Sequence, residues 1–314
     1  MLVGMTGMGG GSLMTPLLIL VFGIQPVTAI GTDIFYSAIT KTVGGWRHLK
    51  MRTAKLDLVL WMAVGSVPAA VGGVFLIDLL GNAVGQDRLD EIVYALLGGT
   101  LLMVGLITLA RALIIRGLIE ERDDFKIEHR HRVAAVVIGA TTGFVIGITS
   151  AGSGTVIAIL LITLFRLSPR RVVGTDIVHA AILLWAASIA HIVSGNVDFG
   201  LAANIMVGSI PGVILGSNLS VKWPQGALRY VLGIVLIGAG ITIMNKANTD
   251  LVPWVMGGAT LAIVALFAAQ IGLRREVEHD PEEQAELERN AKLEREIAVR
   301  AQSRSRPAAA AAKD

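Results

Sequence analysis

The chain has 314 residues, of which 54% are hydrophobic and only 16% are charged, with a formal net charge of +3. Soluble domains carry about 25% charged residues, so this composition excludes an ordinary soluble globular protein. The apolar blocks approach the ~20 residues that a membrane-spanning helix needs, and they lack the alternating pattern of a membrane β-barrel. The sequence therefore predicts an all-α polytopic membrane protein, because helices are the other way to span a bilayer.

The charged and catalytic residue types also narrow the function. Lys and Arg lie between the apolar blocks, where they report membrane topology rather than nucleic-acid binding. The chain has no cysteine, which excludes disulfides and thiolate metal sites. It also lacks the serine elbow, the phosphate-binding loop and the zinc-binding histidine pair of common enzyme families. We therefore expect no enzyme activity, no cofactor, no metal and no nucleic-acid partner.

Basic loops and weakly charged loops alternate along the chain. The positive-inside rule places the basic loops in the cytoplasm, and these are residues 47–55, 111–132, 166–171, 222–229 and the run from 274. Single spans are then predicted at 28–46, 56–80, 90–110, 172–190, 199–219, 229–244 and 254–273. The charged tail is expected to be a cytoplasmic helix with a frayed end, and a regulatory or partner-binding role is the alternative.

Residues 133–165 do not fit a single span. Their 33 residues would form about 50 Å of helix, which is too long for one crossing and short for two. The glycines from Gly147 to Gly154 predict a break between two half-helices that enter and leave by the same face. The segment that ends at Phe22 is expected to form the equivalent re-entrant hairpin from the opposite face.

The chain repeats itself with an offset of 143 residues. Gly31-Thr32-Asp33-Ile34 recurs as Gly174-Thr175-Asp176-Ile177. The same offset relates further identical pairs, namely Gly9 with Gly152, Gly11 with Gly154, Pro26 with Pro169 and His48 with His191. This predicts two copies of one unit. About nineteen residues lead into Gly152 but only eight precede Gly9, so we expect about ten residues of the first helix to be missing.

Corresponding loops of the two copies carry opposite charge bias. Residues 47–55 are basic where residues 190–198 are not, and residues 166–171 are basic where residues 23–28 are neutral. A hairpin plus three spans makes an odd number of crossings, so the copies are predicted to be inverted repeats. The predicted organisation is membrane repeat 1 over 1–110, a cytoplasmic loop over 111–132, membrane repeat 2 over 133–245, an extra span over 254–273 and a cytoplasmic tail over 274–314.

Both glycine clusters are candidates for the binding site of an anion. A broken helix offers free backbone N–H groups and the positive end of a helix dipole, and inverted-repeat transporters bind substrate at such breaks near the membrane midplane. Close helix packing by small residues is the alternative. The predicted substrate-binding residues are Gly9, Gly10, Gly11, Ser12, Thr32, Gly152, Ser153, Gly154, Thr155 and Thr175.

Ionisable residues near these breaks are candidates for coupling or gating. Asp33 and Asp176 either carry protons or accept hydrogen bonds that hold the neighbouring break open. Lys41 neutralises an anion, pairs with Asp33 or extends to the inner membrane surface, and His179 is a candidate for a His–Asp relay with Asp176. The full set is Asp33, Asp176, Lys41, His179, His48 and His191, with a structural role as the alternative for the last two.

These motifs resemble those of the sulfite exporter TauE/SafE family of membrane permeases. The resemblance rests on Gly9-Gly10-Gly11 with Pro16, Pro26, Gly31-Thr32, the span that ends in Lys41 to His48, Gly152-x-Gly154, Pro169, Gly174-Thr175-Asp176 and His191. It covers the chain from about Met5 to Met244 and implies transport of small sulfur-containing anions across the bacterial inner membrane. The chain departs from the family pattern by its short first helix and by having Ile159 as the repeat mate of Pro16.

We therefore predict a secondary transporter, or permease, for an anion such as sulfite or an organosulfonate, with protons as the candidate coupling ion. The expected partners are the anion, the lipid bilayer and a second copy of the chain in a homodimer. An anion channel or uniporter is the first alternative. A membrane scaffold or sensor that acts through the charged tail is the second.

Overall fold

Nine helices make up almost all of the described residues. The computed structural model describes residues 11–114, 129–220 and 225–247, and these ranges contain no strand. The helices are α1 (Gly11–Leu20), α2 (Pro26–Lys50), α3 (Leu56–Val84), α4 (Gln86–Ile114), α5 (His129–Thr149), α6 (Ser153–Phe165), α7 (Pro169–Val193), α8 (Phe199–Ser220) and α9 (Gln225–Met244). The predicted all-α class is confirmed for this part of the chain.

Six of the seven predicted single spans coincide with helices of the structure. Four helices are long and apolar enough to cross a membrane, namely α3, α4 as far as Leu109, α5 and α7. The helices α4 and α5 each extend into the loop predicted at 111–132, because α4 ends at Ile114 and α5 begins at His129. The predicted span at 254–273 and the tail at 274–314 lie outside the described residues.

The helices expose apolar side chains and bury polar ones. The side chains of Val207, Val193 and Leu79 are 75%, 72% and 68% exposed, whereas Asp33 and His179 are completely buried. A large apolar surface is unfavourable in water but is solvated by lipid chains. Polar groups inside such a bundle are costly unless they have partners, so they are typically functional.

The break predicted within residues 147–154 is present in the structure. α5 ends at Thr149 and α6 begins at Ser153. Between them, Ser150 and Gly152 have φ angles of 57° and 99°, which a continuing right-handed helix does not allow. The two arms are unequal, because α5 has 21 residues and α6 has 13. The first arm is therefore long enough to cross a membrane by itself instead of being a half-helix.

Glycines bring α3 and α5 into backbone contact. A Cβ atom added at Gly139 of α5 would clash with the backbone of Met62 in α3. One added at Gly143 would clash with the backbone of Ser66, one turn further along both helices, so the two helices run parallel. Gly65 of α3 is packed against α5 in the same way. Small residues four apart allow membrane helices to approach this closely.

The helices α4 and α9 pack antiparallel, also through glycines. A Cβ atom at Gly98 would lie 3.0 Å from the carbonyl oxygen of Gly240. Two turns later in α4, one at Gly105 would lie 3.0 Å from the carbonyl oxygen of Gly233, which is two turns earlier in α9. The close contact therefore extends over about two turns of both helices.

The helices α2 and α7 are equivalent elements of the two copies. Each has 25 residues, and their bounds differ by the repeat offset at both ends. Each begins with a proline, Pro26 or Pro169, whose fixed φ suits the first turn of a helix. Each is followed by a residue with positive φ, Arg52 at 52° and Gly195 at 73°. The repeat in sequence is thus also a repeat in local structure.

The two equivalent helices also contact each other and run antiparallel. Gly31, near the start of α2, lies against the backbone of Asn196, which follows α7. Midway along both helices, Trp185 Nε1 donates a hydrogen bond of 2.8 Å to Thr42 Oγ1. Thr42 and Trp185 are repeat mates, so the copies touch at equivalent positions.

Candidate transport site

The break before α6 contacts α1 close to the first glycine cluster. Gly152 precedes α6, and its backbone N–H donates a 3.4 Å hydrogen bond to Ser12 Oγ in the first turn of α1. Gly11 is the first residue of α1, while Gly9 and Gly10 lie outside the described residues. The described part of α1 therefore contacts the α5–α6 break at Ser12.

The second glycine cluster begins α6 beside α4. Ser153 is the first residue of α6, and Gly154 in its first turn is buried. Thr155 accepts a 3.5 Å hydrogen bond from Thr108 Oγ1 of α4. Gly152 is the N-cap residue of α6 and has no side chain that could accept from the free N–H groups. A helix start without a side-chain cap retains N–H groups that can bind an anion.

Asp33 accepts hydrogen bonds from α1 and from the α5–α6 break. Thr15 of α1 donates to Asp33 Oδ2 over 2.6 Å, and Ser150 from the α5–α6 break donates to the same oxygen over 2.8 Å. Ser37, one turn along α2, donates to Oδ1 over 3.3 Å. The bond to Asp33 holds Ser150 in its left-handed conformation, which is otherwise unfavourable for a residue with a Cβ atom. The geometry matches the hydrogen-bonding role among the two expected for this residue.

Asp176, the repeat mate of Asp33, has a different environment. Lys41 Nζ of α2 lies 3.8 Å from Asp176 Oδ2, so Lys41 pairs with Asp176 rather than with Asp33 on its own helix. Asp176 Oδ1 is buried without a hydrogen-bond partner among the described residues. The repeat mates of the three hydroxyl donors to Asp33 carry no hydroxyl group, and they are Ala158, Ala180 and Gly7.

His179 binds a hydroxyl group instead of Asp176. Its Nε2 atom lies 2.9 Å from Ser66 Oγ of α3 in a hydrogen bond, and its Nδ1 atom has no partner among the described residues. The repeat mate of His179 is Tyr36, whose side chain lies close to Ser209, the mate of Ser66. The contact is therefore reciprocal, while the expected direct His–Asp relay is absent from the described contacts.

Thr32 and Thr175 bind the backbone of the opposite copy. The N–H of Asp198, just after α7, donates to Thr32 Oγ1 over 3.0 Å. The N–H of Lys55, the repeat mate of Asp198, donates to Thr175 Oγ1 over the same 3.0 Å. Both threonine side chains are completely buried. The structure thus brings these two residues to the interhelical loops rather than to the helix breaks.

The glycine of each Gly-Thr-Asp motif makes room for this exchange. A Cβ atom at Gly174 would lie 2.7 Å from the carbonyl oxygen of Thr53. Gly31 packs in the same way against the backbone of Asn196, the repeat mate of Thr53. The motif therefore combines a close backbone approach at glycine with a hydrogen bond at threonine, one residue later.

The two aligned histidines have different partners. His191 Nε2 lies 3.0 Å from the carbonyl oxygen of Gly147, close to the end of α5, so this nitrogen carries the proton and donates. The carbonyl groups in the last turn of a helix lack helical partners. His191 provides a hydrogen-bond donor to one of these carbonyl groups beside the break. His48 Nδ1 lies 2.8 Å from Thr53 Oγ1, in the turn that follows α2.

Sequence reasoning missed the three donors to Asp33. The repeat mates of Thr15, Ser37 and Ser150 lack hydroxyl groups. This difference between the copies could have identified them, because a hydroxyl group inside a membrane bundle needs a hydrogen-bond partner.

The comparisons with known proteins agree with this architecture. The family model described as sulfite exporter TauE/SafE matches residues 1–243. The probable membrane transporter protein YjnA of Bacillus subtilis (strain 168) is 39% identical over 243 residues, which are 77% of this chain and 94% of the relative. YdhB of the same organism, also described as a probable membrane transporter protein, is 26% identical over 77% of this chain and 95% of its own length.

A further relative is a probable membrane transporter protein of Xylella fastidiosa (strain 9a5c). It is 27% identical over 255 residues, which are 80% of this chain and 92% of the relative. A search of solved structures gave no significant match. The family match extends through both copies of the repeat as far as α9, and it includes all the contacts described above. The chain therefore belongs to the sulfite exporter TauE/SafE family and is a multi-pass membrane transporter.

Proposed function

We propose that this chain is a secondary transporter of small sulfur-containing anions, such as sulfite or organosulfonates, in the bacterial inner membrane. The description of the family names sulfite, and the relatives are described as probable membrane transporters. In this proposal the anion binds where the two helix breaks meet, and the two copies move against each other to expose the site to either side.

The observation that carries the proposal is the contact between α1 and the α5–α6 break. The hydrogen bond from Gly152 to Ser12 joins the start of α6 to the start of α1. The start of α6 directs backbone N–H groups and the positive end of a dipole toward this region, and the proposal assigns the same role to Gly9, Gly10 and Gly11. An oxyanion binds well to such groups because each N–H can donate to one of its oxygen atoms.

The contacts divide the predicted site residues into two roles. Ser12, Gly152, Gly154 and Thr155 lie at the breaks and are proposed as ligands, together with Gly9, Gly10, Gly11 and Ser153. Thr32 and Thr175 are proposed as positioning residues, because each holds a loop of the opposite copy. Asp33 is also proposed as a positioning residue, since its Oδ2 atom accepts hydrogen bonds from both α1 and the α5–α6 break.

We also propose that residues 1–110 and 133–245 are inverted repeats, followed by the span at 254–273 and a cytoplasmic tail at 274–314. The antiparallel course of α2 and α7 and the reciprocal loop contacts support this arrangement. So do the parallel packing of α3 with α5 and the antiparallel packing of α4 with α9, which are the directions that the charge pattern requires.

Flux measurements in proteoliposomes test the site and the substrate together. The purified protein is assayed with radiolabelled sulfite, thiosulfate and an alkylsulfonate, and with phosphate as a control anion. Gly152→Ala places a side chain at a φ of 99° and 3.2 Å from Val104 Cγ2. Strain of about 1–2 kcal/mol at the binding site should lower the initial rate roughly tenfold.

Gly85→Ala is the matched control, because Gly85 also has a positive φ, of 82°, but has no atom near its Cβ position. Saturable sulfur-anion flux that is reduced in Gly152→Ala and retained in Gly85→Ala supports the proposal. Equal rates for both variants would contradict the site, and flux of none of the sulfur anions would contradict the substrate class. Flux without counterflow stimulation would indicate a channel.

A further inference from the structure

A buried ionic cluster joins the two copies through α2 and α7. The Lys41 and Asp176 side chains are each 9% exposed, and Lys41 Nζ lies 3.8 Å from Asp176 Oδ2. One turn along α7, the buried His179 is bonded to Ser66 of α3. Asp176 Oδ1 and His179 Nδ1 have no hydrogen-bond partner among the described residues. The cluster therefore holds a full charge pair and two unused polar atoms.

The fold that the two copies share does not require this ion pair. The repeat mate of Lys41 is Leu184, and the mate of His179 is Tyr36. Asp33, the mate of Asp176, is held by three hydroxyl groups instead of an ammonium group. Asp33 is therefore buried without a cation beside it. Since packing does not require one, we expect Lys41 to have a function other than packing beside Asp176.

The ion pair is also a weak source of stability. Its 3.8 Å separation is longer than a direct hydrogen bond, so the attraction compensates poorly for removing both charges from water. The unpartnered Oδ1 adds a further cost, because a buried acceptor without a donor loses its interaction with water. Costly ionisable groups in membrane helices are typical of coupling sites.

We propose that Lys41 and Asp176 form the proton-coupling centre of the transporter, which rests on the anion transport proposed above. A proton binds to Asp176 at Oδ1 and neutralises the carboxylate, and the positive charge of Lys41 is then uncompensated. A monoanion such as hydrogen sulfite restores neutrality. Because neither the extra proton nor the anion alone is stable in a low-dielectric interior, the two cross together.

Few other titratable groups face this centre. α6 has none, and those of α5 lie in its first turn. α3 carries Asp57 in its first turn and Asp78 near its end, while Ser66 is the residue it presents to His179. Within the described residues, Lys41 of α2 is thus the charged group that acts on Asp176 from a packed helix, and His179 lies one turn along the same helix as Asp176.

Simultaneous measurement of anion flux and proton movement in proteoliposomes tests the proposal. The wild type is expected to move one proton with each monoanion. Asp176→Asn keeps the shape of the carboxyl group but cannot bind a proton, so anion flux should continue without proton movement. The ratio of its anion fluxes at two pH values one unit apart should fall to about one.

Lys41→Leu copies the repeat mate Leu184 and should lose anion flux at every pH. Asp57→Asn is the control for an exposed aspartate and should behave as wild type.

A second measurement on the same variants requires no substrate. Infrared difference spectra between acidic and neutral pH should contain a carboxylic-acid band that Asp176→Asn lacks and Asp57→Asn retains. Proton movement that persists in Asp176→Asn, or wild-type flux without protons, would overturn the coupling centre and leave anion transport intact. If the wild type moves no sulfur anion, the substrate proposal fails, and a spectrum unchanged by Asp176→Asn overturns the proton site as well.

Discussion

At the scale of single residues, the two aspartates of the repeated Gly-Thr-Asp motif have acquired different neighbours. Asp33 receives three hydroxyl donors, and Asp176 lies beside the ammonium group of Lys41. Hydroxyl groups stabilise a carboxylate without introducing a second charge, so they suit a residue that holds two hairpins in place. Beside a cation, protonation of the carboxylate changes the net charge of the cluster from zero to positive. The same motif therefore supports positioning in one copy and proposed coupling in the other.

His191 provides a residue-scale prediction about stability. His191→Phe removes the donor to the Gly147 carbonyl oxygen and leaves that group buried beside the break. An unsatisfied buried acceptor costs about 1–3 kcal/mol, so the variant should unfold at a lower temperature in detergent. The repeat mate serves as the control, because His48 is partly exposed and its partner Thr53 keeps a second acceptor. Equal melting temperatures for His191→Phe and His48→Phe would contradict the capping role.

At the scale of helices, glycine has two distinct functions in this protein. Gly152 supplies a positive φ that ends one helix and begins the next. Gly65, Gly139 and Gly143 lie within continuous helices and let α3 and α5 approach to backbone contact. A glycine of the first kind determines where the chain breaks, and one of the second kind determines how deeply two helices interlock.

Two glycines of α3 allow a matched prediction about this packing. Gly65→Ala places a methyl group against the backbone of Val136, which cannot move without shifting α5. We expect a loss of about 1–3 kcal/mol in stability, as is usual for overpacking. Gly72→Ala adds the same methyl group where no atom lies within 4 Å, and it should be neutral or stabilising because alanine favours helix. Thermal unfolding of both variants measures the difference, and equal effects would argue against close packing at Gly65.

At the scale of the whole molecule, the copies are joined through equivalent positions. The contacts from Asp198 to Thr32 and from Lys55 to Thr175 have the same length, and Thr42 meets its own mate Trp185. Such reciprocity is what a two-fold relation between the copies produces. Motion of one copy against the other would change both loop contacts together.

The proposed inversion has a direct topological consequence. Lys50 and Val193 are exposed repeat mates at the ends of α2 and α7. Since the native chain contains no cysteine, Lys50→Cys and Val193→Cys each introduce one reactive site. A membrane-impermeant maleimide should label Val193→Cys in intact cells and Lys50→Cys only after permeabilisation. Labelling of both positions from the same side would contradict the inversion.

The sequence by itself determined the helices, the break near Gly152 and the repeat. Length, hydropathy, glycine position and a constant offset are properties of nearby residues or of regular spacing, so they can be read without a fold. The sequence did not predict the unequal lengths of α5 and α6, because the same glycines that indicate a break also occur inside continuous helices. Family membership followed from the motifs and was confirmed by the family match.

Only the tertiary structure decided which side chains meet. Lys41 extends to Asp176 of the other copy instead of to Asp33 on its own helix, and Asp33 receives donors from Thr15 and Ser150, which are far apart in sequence. Thr32 and Thr175 were expected at the breaks but contact loops. The physical reason is that contacts across packed helices depend on their register and rotation. These are set by the glycine contacts of all the helices together.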